Sequence, residues 1–347
     1  MIEQFKEQIR AAAAQQRPLR IRGGGTKDWY GGALAGDILD TRGHSGIVDY
    51  EPTELVITAR CGTPLAEIEA VLAQQNQMLA FEPPHFGEGA TIGGAIAAGL
   101  SGPRRANSGA VRDFVLGAQL MDGKGELLNF GGQVMKNVAG YDVSRLLAGS
   151  LGTLGLITEL SVKVLPRAFA ETTLRFETSE IDAIRLLNTW GGQPLPLSAS
   201  CWHQGVLLLR LSGAQAAVDA AIKSLGGQVV PDADAFWAGL REQRHAFFAG
   251  EAPLWRLSVP STTGAIVLDG EQLIEWGGAQ RWLRAPADAA ETIRSAVRAV
   301  GGHATLFRGG DKAAGVFQPL APAVARIHER LKTAFDPSHI FNPGRMF

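Results

Sequence analysis

Three consecutive glycines stand at Arg22-Gly23-Gly24-Gly25-Thr26-Lys27. Without Cβ atoms, successive main-chain N–H groups can converge on one point, and such a nest suits a pyrophosphate. The loop is not a Rossmann fingerprint, because Asp28 occupies the place where that pattern needs its third glycine. It is not a P-loop either. The nearest fragment, Gly123-Lys124, is followed by Gly125 and falls in a hairpin. Alone, the loop fits an ordinary glycine-rich turn equally well.

Two more small-residue stretches could bring main chain against a flat ligand or a phosphate. One is Ala90-Thr91-Ile92-Gly93-Gly94-Ala95-Ile96-Ala97-Ala98-Gly99, closing at Ser101-Gly102. The other is Gly149-Ser150-Leu151-Gly152-Thr153-Leu154-Gly155-Leu156-Ile157-Thr158. A tightly packed helix start and a plain turn before a core strand are their structural alternatives. Metal and thiol chemistry find little support. Cys61 and Cys201 are far apart and in no CxxC pattern, so neither a disulfide framework nor an iron–sulfur cluster is expected. His203, His245, His303, His328 and His339 stand singly, and no metal site is expected.

The elements that must position these stretches follow from periodicity. Helical patterns cover residues 5–16 and 64–75, and short strands are expected at 19–22, 38–40 and 55–59. Asp122-Gly123 joins strands 114–121 and 127–130 in a hairpin, and a strand at 155–165 ends at Pro166. Beyond Pro166 the pattern changes. Six of seven tryptophans lie there, and strands alternate with helices 180–190 and 214–225 in a split βαβ order with an antiparallel sheet. Further helices are expected at 233–248 and 286–300, with strands at 254–259, 264–268, 281–283 and 304–307. An amphipathic helix at 321–335 precedes the tail.

The order of these motifs is more specific than any one of them. Pro18 leads into the triple-glycine loop, Pro83-Pro84 leads into Thr91-Ile92-Gly93-Gly94, the Gly149 turn follows, and Phe335-Asp336-Pro337 with Ile340-Phe341-Asn342-Pro343-Gly344-Arg345 closes the chain. In this it resembles the FAD-binding group of D-lactate and glycolate dehydrogenases, within the vanillyl-alcohol-oxidase, or PCMH-type, superfamily. The resemblance covers residues 18–168 and 330–347. Leu254-Trp255-Arg256-Leu257-Ser258 and Glu275-Trp276-Gly277-Gly278-Ala279-Gln280-Arg281-Trp282 look like the FAD-binding subunits of glycolate oxidases.

The resemblance implies an α+β fold: an FAD domain of two α/β subdomains, with a smaller cap built on a mainly antiparallel sheet. The expected divisions are 1–168 for the FAD domain, 169–310 for the cap and 311–347 for a segment returning to the FAD domain. Arg22, Gly23, Gly24, Gly25, Thr26 and Lys27 would bind the diphosphate. Pro84, Ala90, Thr91, Ile92, Gly93, Gly94, Ala97 and Gly102 would line diphosphate and flavin. Gly152, Thr153 and Ile157 would lie near adenine and ribose, and Asn342 and Arg345 would return to the flavin pocket. Relatives with a histidyl flavin link carry His where Thr26 stands, so FAD is expected to be non-covalent. The His-x-Gly-Asp-Gly-Asn-x-His motif of the larger dehydrogenases is absent, and Leu151 stands where relatives often carry Glu.

For a small 2-hydroxy acid, a base must take the hydroxyl proton as hydride leaves Cα, and an arginine would clamp the carboxylate. Arg256, Arg281 and Arg308 are the candidate clamps, and His203 and His303 the candidate bases. The implied role is the FAD-binding subunit of a glycolate dehydrogenase, partnered by a larger FAD-containing subunit and an iron–sulfur subunit. A stand-alone FAD oxidoreductase and a non-catalytic scaffold with the FAD fold are the alternatives. The net charge of −1 over 347 residues favours no nucleic acid. Neither a signal peptide nor a long apolar window appears, so a cytoplasmic location is expected, with any membrane attachment through partners.

Overall fold

The computed structural model describes residues 1–132 and 142–346. The chain forms two compact units: Met1–Ser101, Ala110–Pro166 and Pro319–Phe347 in the first, Gly102–Gly109 and Arg167–Gln318 in the second.

The first unit is built on a five-stranded antiparallel sheet, in the order Ile47–Glu51, Val56–Arg60, Leu156–Lys163, Val115–Met121, Leu127–Gly131. Helices Leu65–Gln74 and Ile92–Ala98 bury Leu65, Ile68, Leu72, Ile92 and Ile96 in its main core. A second core surrounds a two-stranded parallel sheet, Leu19–Arg22 with Asp37–Asp40. There helix Ile2–Ala14 packs Phe5 and Ile9 on Leu19, Leu39 and the tail residues Ile340 and Phe341. Phe341 bridges to Leu19 in parallel, which brings the C-terminus beside the triple-glycine loop.

The second unit carries an eight-stranded sheet in which every pair of strands is antiparallel. Its first half runs Gln228–Val230, Ala170–Glu177, Val206–Gly213, Leu197–His203, the order of a split βαβ motif, as the sequence implies. Helices Glu180–Gly191 and Gln215–Leu225 bury their apolar faces on Leu174, Leu207, Leu209 and Leu211. The second half runs Glu271–Glu275, Gln280–Arg284, Leu254–Ser258, His303–Arg308, with helix Ala290–Ala299 packed on Trp255, Leu257 and Leu283.

Two expectations fail locally, and one strand appears where none is expected. Residues 264–268 form no strand; the pairing strand is Glu271–Glu275. The carbonyls of Thr263 and Gly264 are taken by the Arg281 guanidinium, which pulls that segment out of a ladder. The helix expected over 233–248 is Asp234–Arg241, broken at Gln243 with φ +54°, before a 3-10 turn at Ala246–Ala249. The strand Ile47–Glu51 was not expected, because its burial is irregular rather than alternating.

Candidate functional site

The first unit contains a solvent-open cleft whose atom-free space, open solvent included, is about 590 Å³. Its floor is the loop after strand Leu19–Arg22, and Arg22, Gly23, Gly24, Gly25, Thr26 and Lys27 all line it. Thr91, Gly94 and Ala97, from the N-cap and body of helix Ile92–Ala98, form a wall, and the tail contributes Asn342 and Arg345.

The triple glycine has two physical reasons. A Cβ on Gly24 would sit 1.8 Å from the Gly89 carbonyl oxygen, so the loop could not lie against residues 89–91 with any side chain there. Gly25 has φ +73°, and its Cβ would meet the Arg22 guanidinium at 2.1 Å. Close packing therefore explains part of the motif. It does not explain the donors. Among the described residues, no protein acceptor takes the main-chain N–H groups of Gly23, Gly24, Gly25 or Thr26. Four uncommitted donors in one glycine-lined loop at a cleft suit a polyanion such as a dinucleotide diphosphate.

The surrounding side chains hold this loop in shape. Arg22 Nε donates to Asp28 Oδ2 at 2.7 Å. Lys27 Nζ donates to the His85 carbonyl at 3.2 Å and lies 5.7 Å from the Phe86 ring centre. Arg345, 6 % exposed, donates to the carbonyls of Asp28 (3.1 Å), Gly32 (2.6 Å) and Tyr30. Burial lowers its pKa, Asp28 acts against that, and the nearby Arg20 charge adds to the lowering. Asn342 Oδ1 accepts from Ile21 N–H at 2.8 Å, and its Nδ2 donates to the Leu151 carbonyl at 2.6 Å. The tail thus clasps strand Leu19–Arg22 to the turn around Leu151. A buried pair anchors the clasp. Lys332 Nζ donates to Asp336 Oδ2 (2.5 Å) and to the carbonyls of Thr153 (2.8 Å) and Phe341 (2.9 Å), while Asp336 accepts from the N–H groups of Ile340 and Phe341.

The other residues expected at the cofactor lie off the cleft. Ala90, Ile92 and Ile157 are packed in the main core. Gly93 is pressed on Cys61, whose carbonyl accepts its N–H at 2.9 Å. Pro84 is buried outside the cleft lining. Gly152 lies against the Asn342 amide, and Thr153 donates to the Ser150 carbonyl at 2.7 Å, so both serve the clasp. Gly102 falls in the second unit. Conversely, the cleft is also lined by Arg20, Ile21, Asp28 and Leu34, which lie outside the motifs, and by Ala98 and Leu151, which lie within them but are not among the expected contacts. For Arg20 a signal existed: a strand's period of two puts it on the same face as Arg22.

The proposed clamps and bases all lie in the second unit and form no single constellation. Arg281 is fully buried and spent on the carbonyls of Gly264, Thr263 and Gly278, with Glu180 at 3.7 Å. Burial lowers its pKa and raises that of Glu180, so desolvation outweighs their attraction. It is a staple between loops, not a substrate clamp. His203 Nε2 is 2.7 Å from Glu271 Oε1, and its ring stands edge-on to His245. His203, Leu273, Trp282 and Arg256 occupy one row across four strands, which separates His203 from Arg256 by about 14 Å. His303 lies diagonal to Arg256 on the neighbouring strand, opposite Ser258, and Arg308 ends that strand opposite Leu254.

Fold and cleft together define a PCMH-type FAD-binding oxidoreductase, and comparison with known proteins agrees. The model of an FAD binding domain matches residues 1–131. The glycolate oxidase subunit GlcE of Escherichia coli K12 is 51% identical over 341 residues, covering 98% of this chain and 96% of that protein. The chain belongs to the family of the GlcE glycolate oxidase subunit. The glycolate oxidase subunit GlcD of Bacillus subtilis is 33% identical over 170 residues, covering 48% of this chain and 36% of that protein. A D-lactate dehydrogenase of Archaeoglobus fulgidus is 31% identical over 204 residues, covering 56% of this chain and 44% of that protein. Among solved structures, an alkyldihydroxyacetonephosphate synthase superposes with a TM-score of 0.70 at 16% identity, covering 98% of this chain and 74% of that one, a likeness of fold alone.

Proposed function

We propose that this chain is the FAD-binding subunit of a glycolate dehydrogenase complex that oxidises glycolate to glyoxylate and passes the electrons to an iron–sulfur partner. The observation that carries the reading is the cleft of the first unit, where four uncommitted main-chain donors meet a cationic lining in a chain of the GlcE family. FAD, when bound, supplies the hydride acceptor. The chain's own residues do the rest. The N–H groups of Gly23, Gly24, Gly25 and Thr26 stabilise diphosphate charge through their dipoles. Asn342 and Arg345 fix the loops that shape the cleft. Thr26 offers no imidazole for a covalent link, so FAD is held by non-covalent forces alone.

With two cysteines the chain cannot supply the four thiolates of an iron–sulfur cluster, so that cluster sits on another subunit. Arg281 is committed to carbonyls and His203 stands far along the sheet from Arg256, so we assign the hydroxy-acid site to a larger FAD-containing subunit. The second unit serves as the cap that meets substrate or partner. Any membrane attachment goes through partners, since among the described residues no helix is long and apolar enough to cross a membrane. The test is co-expression with and without the partner subunits, followed by flavin content and glycolate-dependent dye reduction. The account expects flavin on the isolated chain and turnover only in the complex. A chain that takes up no FAD contradicts it, and glycolate turnover by the chain alone overturns the assignment of the hydroxy-acid site.

A further inference from the structure

Four cationic side chains line the cleft: Arg20, Arg22, Lys27 and Arg345. The fold has engaged three of them. Arg22 pairs with Asp28, Lys27 donates to the His85 carbonyl, and Arg345 is spread over the carbonyls of Asp28, Tyr30 and Gly32. Arg20 differs. Its Nε is buried without a partner, and among the described residues its guanidinium makes no hydrogen bond or ion pair. It sits in strand Leu19–Arg22, whose alternation turns Leu19 into the apolar core and sets Arg20 on the face it shares with Arg22.

A buried guanidinium Nε with no acceptor is costly unless a ligand or water completes it. Its planar fork of donors matches the oxygens of a phosphate, whereas the uncharged ring system of a flavin offers no such charge. We propose that Arg20, which belongs to no recognised motif, is the side-chain cation that binds the phosphates of the dinucleotide, with the N–H groups of the glycine loop as its neutral complement. This rests on the reading that the cleft takes FAD. It divides the labour: the motif cations Arg22, Lys27 and Arg345 shape the loops, and Arg20 meets the ligand. An anion there also relieves the repulsion between the Arg20 and Arg345 charges.

The experiment is a fluorescence titration of the full-length apoprotein with FAD and with riboflavin, which lacks phosphate, at low and high salt. Wild type, Arg20→Met and Arg20→Lys are compared. Loss of a charge-assisted contact predicts FAD binding weakened about ten- to hundredfold in Arg20→Met. Arg20→Lys falls between, riboflavin binding is unchanged, and the salt dependence of FAD binding drops in Arg20→Met. Equal FAD affinity and salt dependence in wild type and Arg20→Met overturns the proposal while leaving the FAD site intact. So does equal weakening of FAD and riboflavin, which marks a structural role. Wild-type protein that binds no FAD overturns the prior reading itself.

Discussion

The cleft of the first unit and the polar strands of the second both carry arginines, but the two regions use them in opposite ways. In the second unit Arg281 is fully buried and donates to three carbonyls, while Arg284 spends its guanidinium on the carbonyls of Phe247, Gly250 and Ala252. These side chains replace ladder hydrogen bonds that irregular loops cannot make for themselves. At the cleft, the main chain of residues 23–26 and the Arg20 side chain keep donors in reserve. Engaged donors stabilise a fold. Donors without acceptors mark the place where the fold is finished by something else. An arginine's type therefore says little about function until its acceptors are counted.

Breaking the anchor behind the cleft has the largest expected effect. Lys332→Met leaves the buried Asp336 carboxylate without its cation and frees the carbonyls of Thr153 and Phe341. Losing one partner of a buried pair costs about 3–5 kcal/mol. Denaturant unfolding of the apoprotein should show that loss, with weakened FAD retention because the tail no longer clasps strand Leu19–Arg22. Arg281→Met in the second unit strands the carbonyls of Gly264, Thr263 and Gly278 and should cost about 3 kcal/mol. Its FAD affinity should match wild type. Reduced affinity at full stability would instead give Arg281 a functional role and collapse the contrast between the two regions. Gly24→Ala forces apart two backbone segments that now touch. Calorimetry should show a smaller stability loss, about 1–3 kcal/mol, with FAD affinity down at least about tenfold.

How far the sequence could be read depends on whether a feature is local. The triple-glycine loop and the Asp122-Gly123 hairpin are set by neighbouring residues, and both are visible in the sequence. The return of Asn342 and Arg345 is legible through the resemblance, although what they touch is not: both bind protein carbonyls. Ile157 and Ile92 follow their motifs in sequence, but their side chains fill the core. Arg281 looked like a clamp because nothing local reveals that Thr263 and Gly264 will close over it. Arg20 escaped notice for the opposite reason: its meaning lies in the acceptors it lacks, and an absence of partners appears only once the chain is folded.

The central claim is that the N–H groups of Gly23, Gly24, Gly25 and Thr26 are held for the phosphates of FAD. Hydrogen–deuterium exchange of the apoprotein and the FAD-loaded protein, resolved to the peptide spanning residues 22–27, tests it most directly. Amides without acceptors should exchange fast in the apoprotein and become protected when FAD binds. Tight FAD binding that leaves this peptide's exchange unchanged would contradict the account.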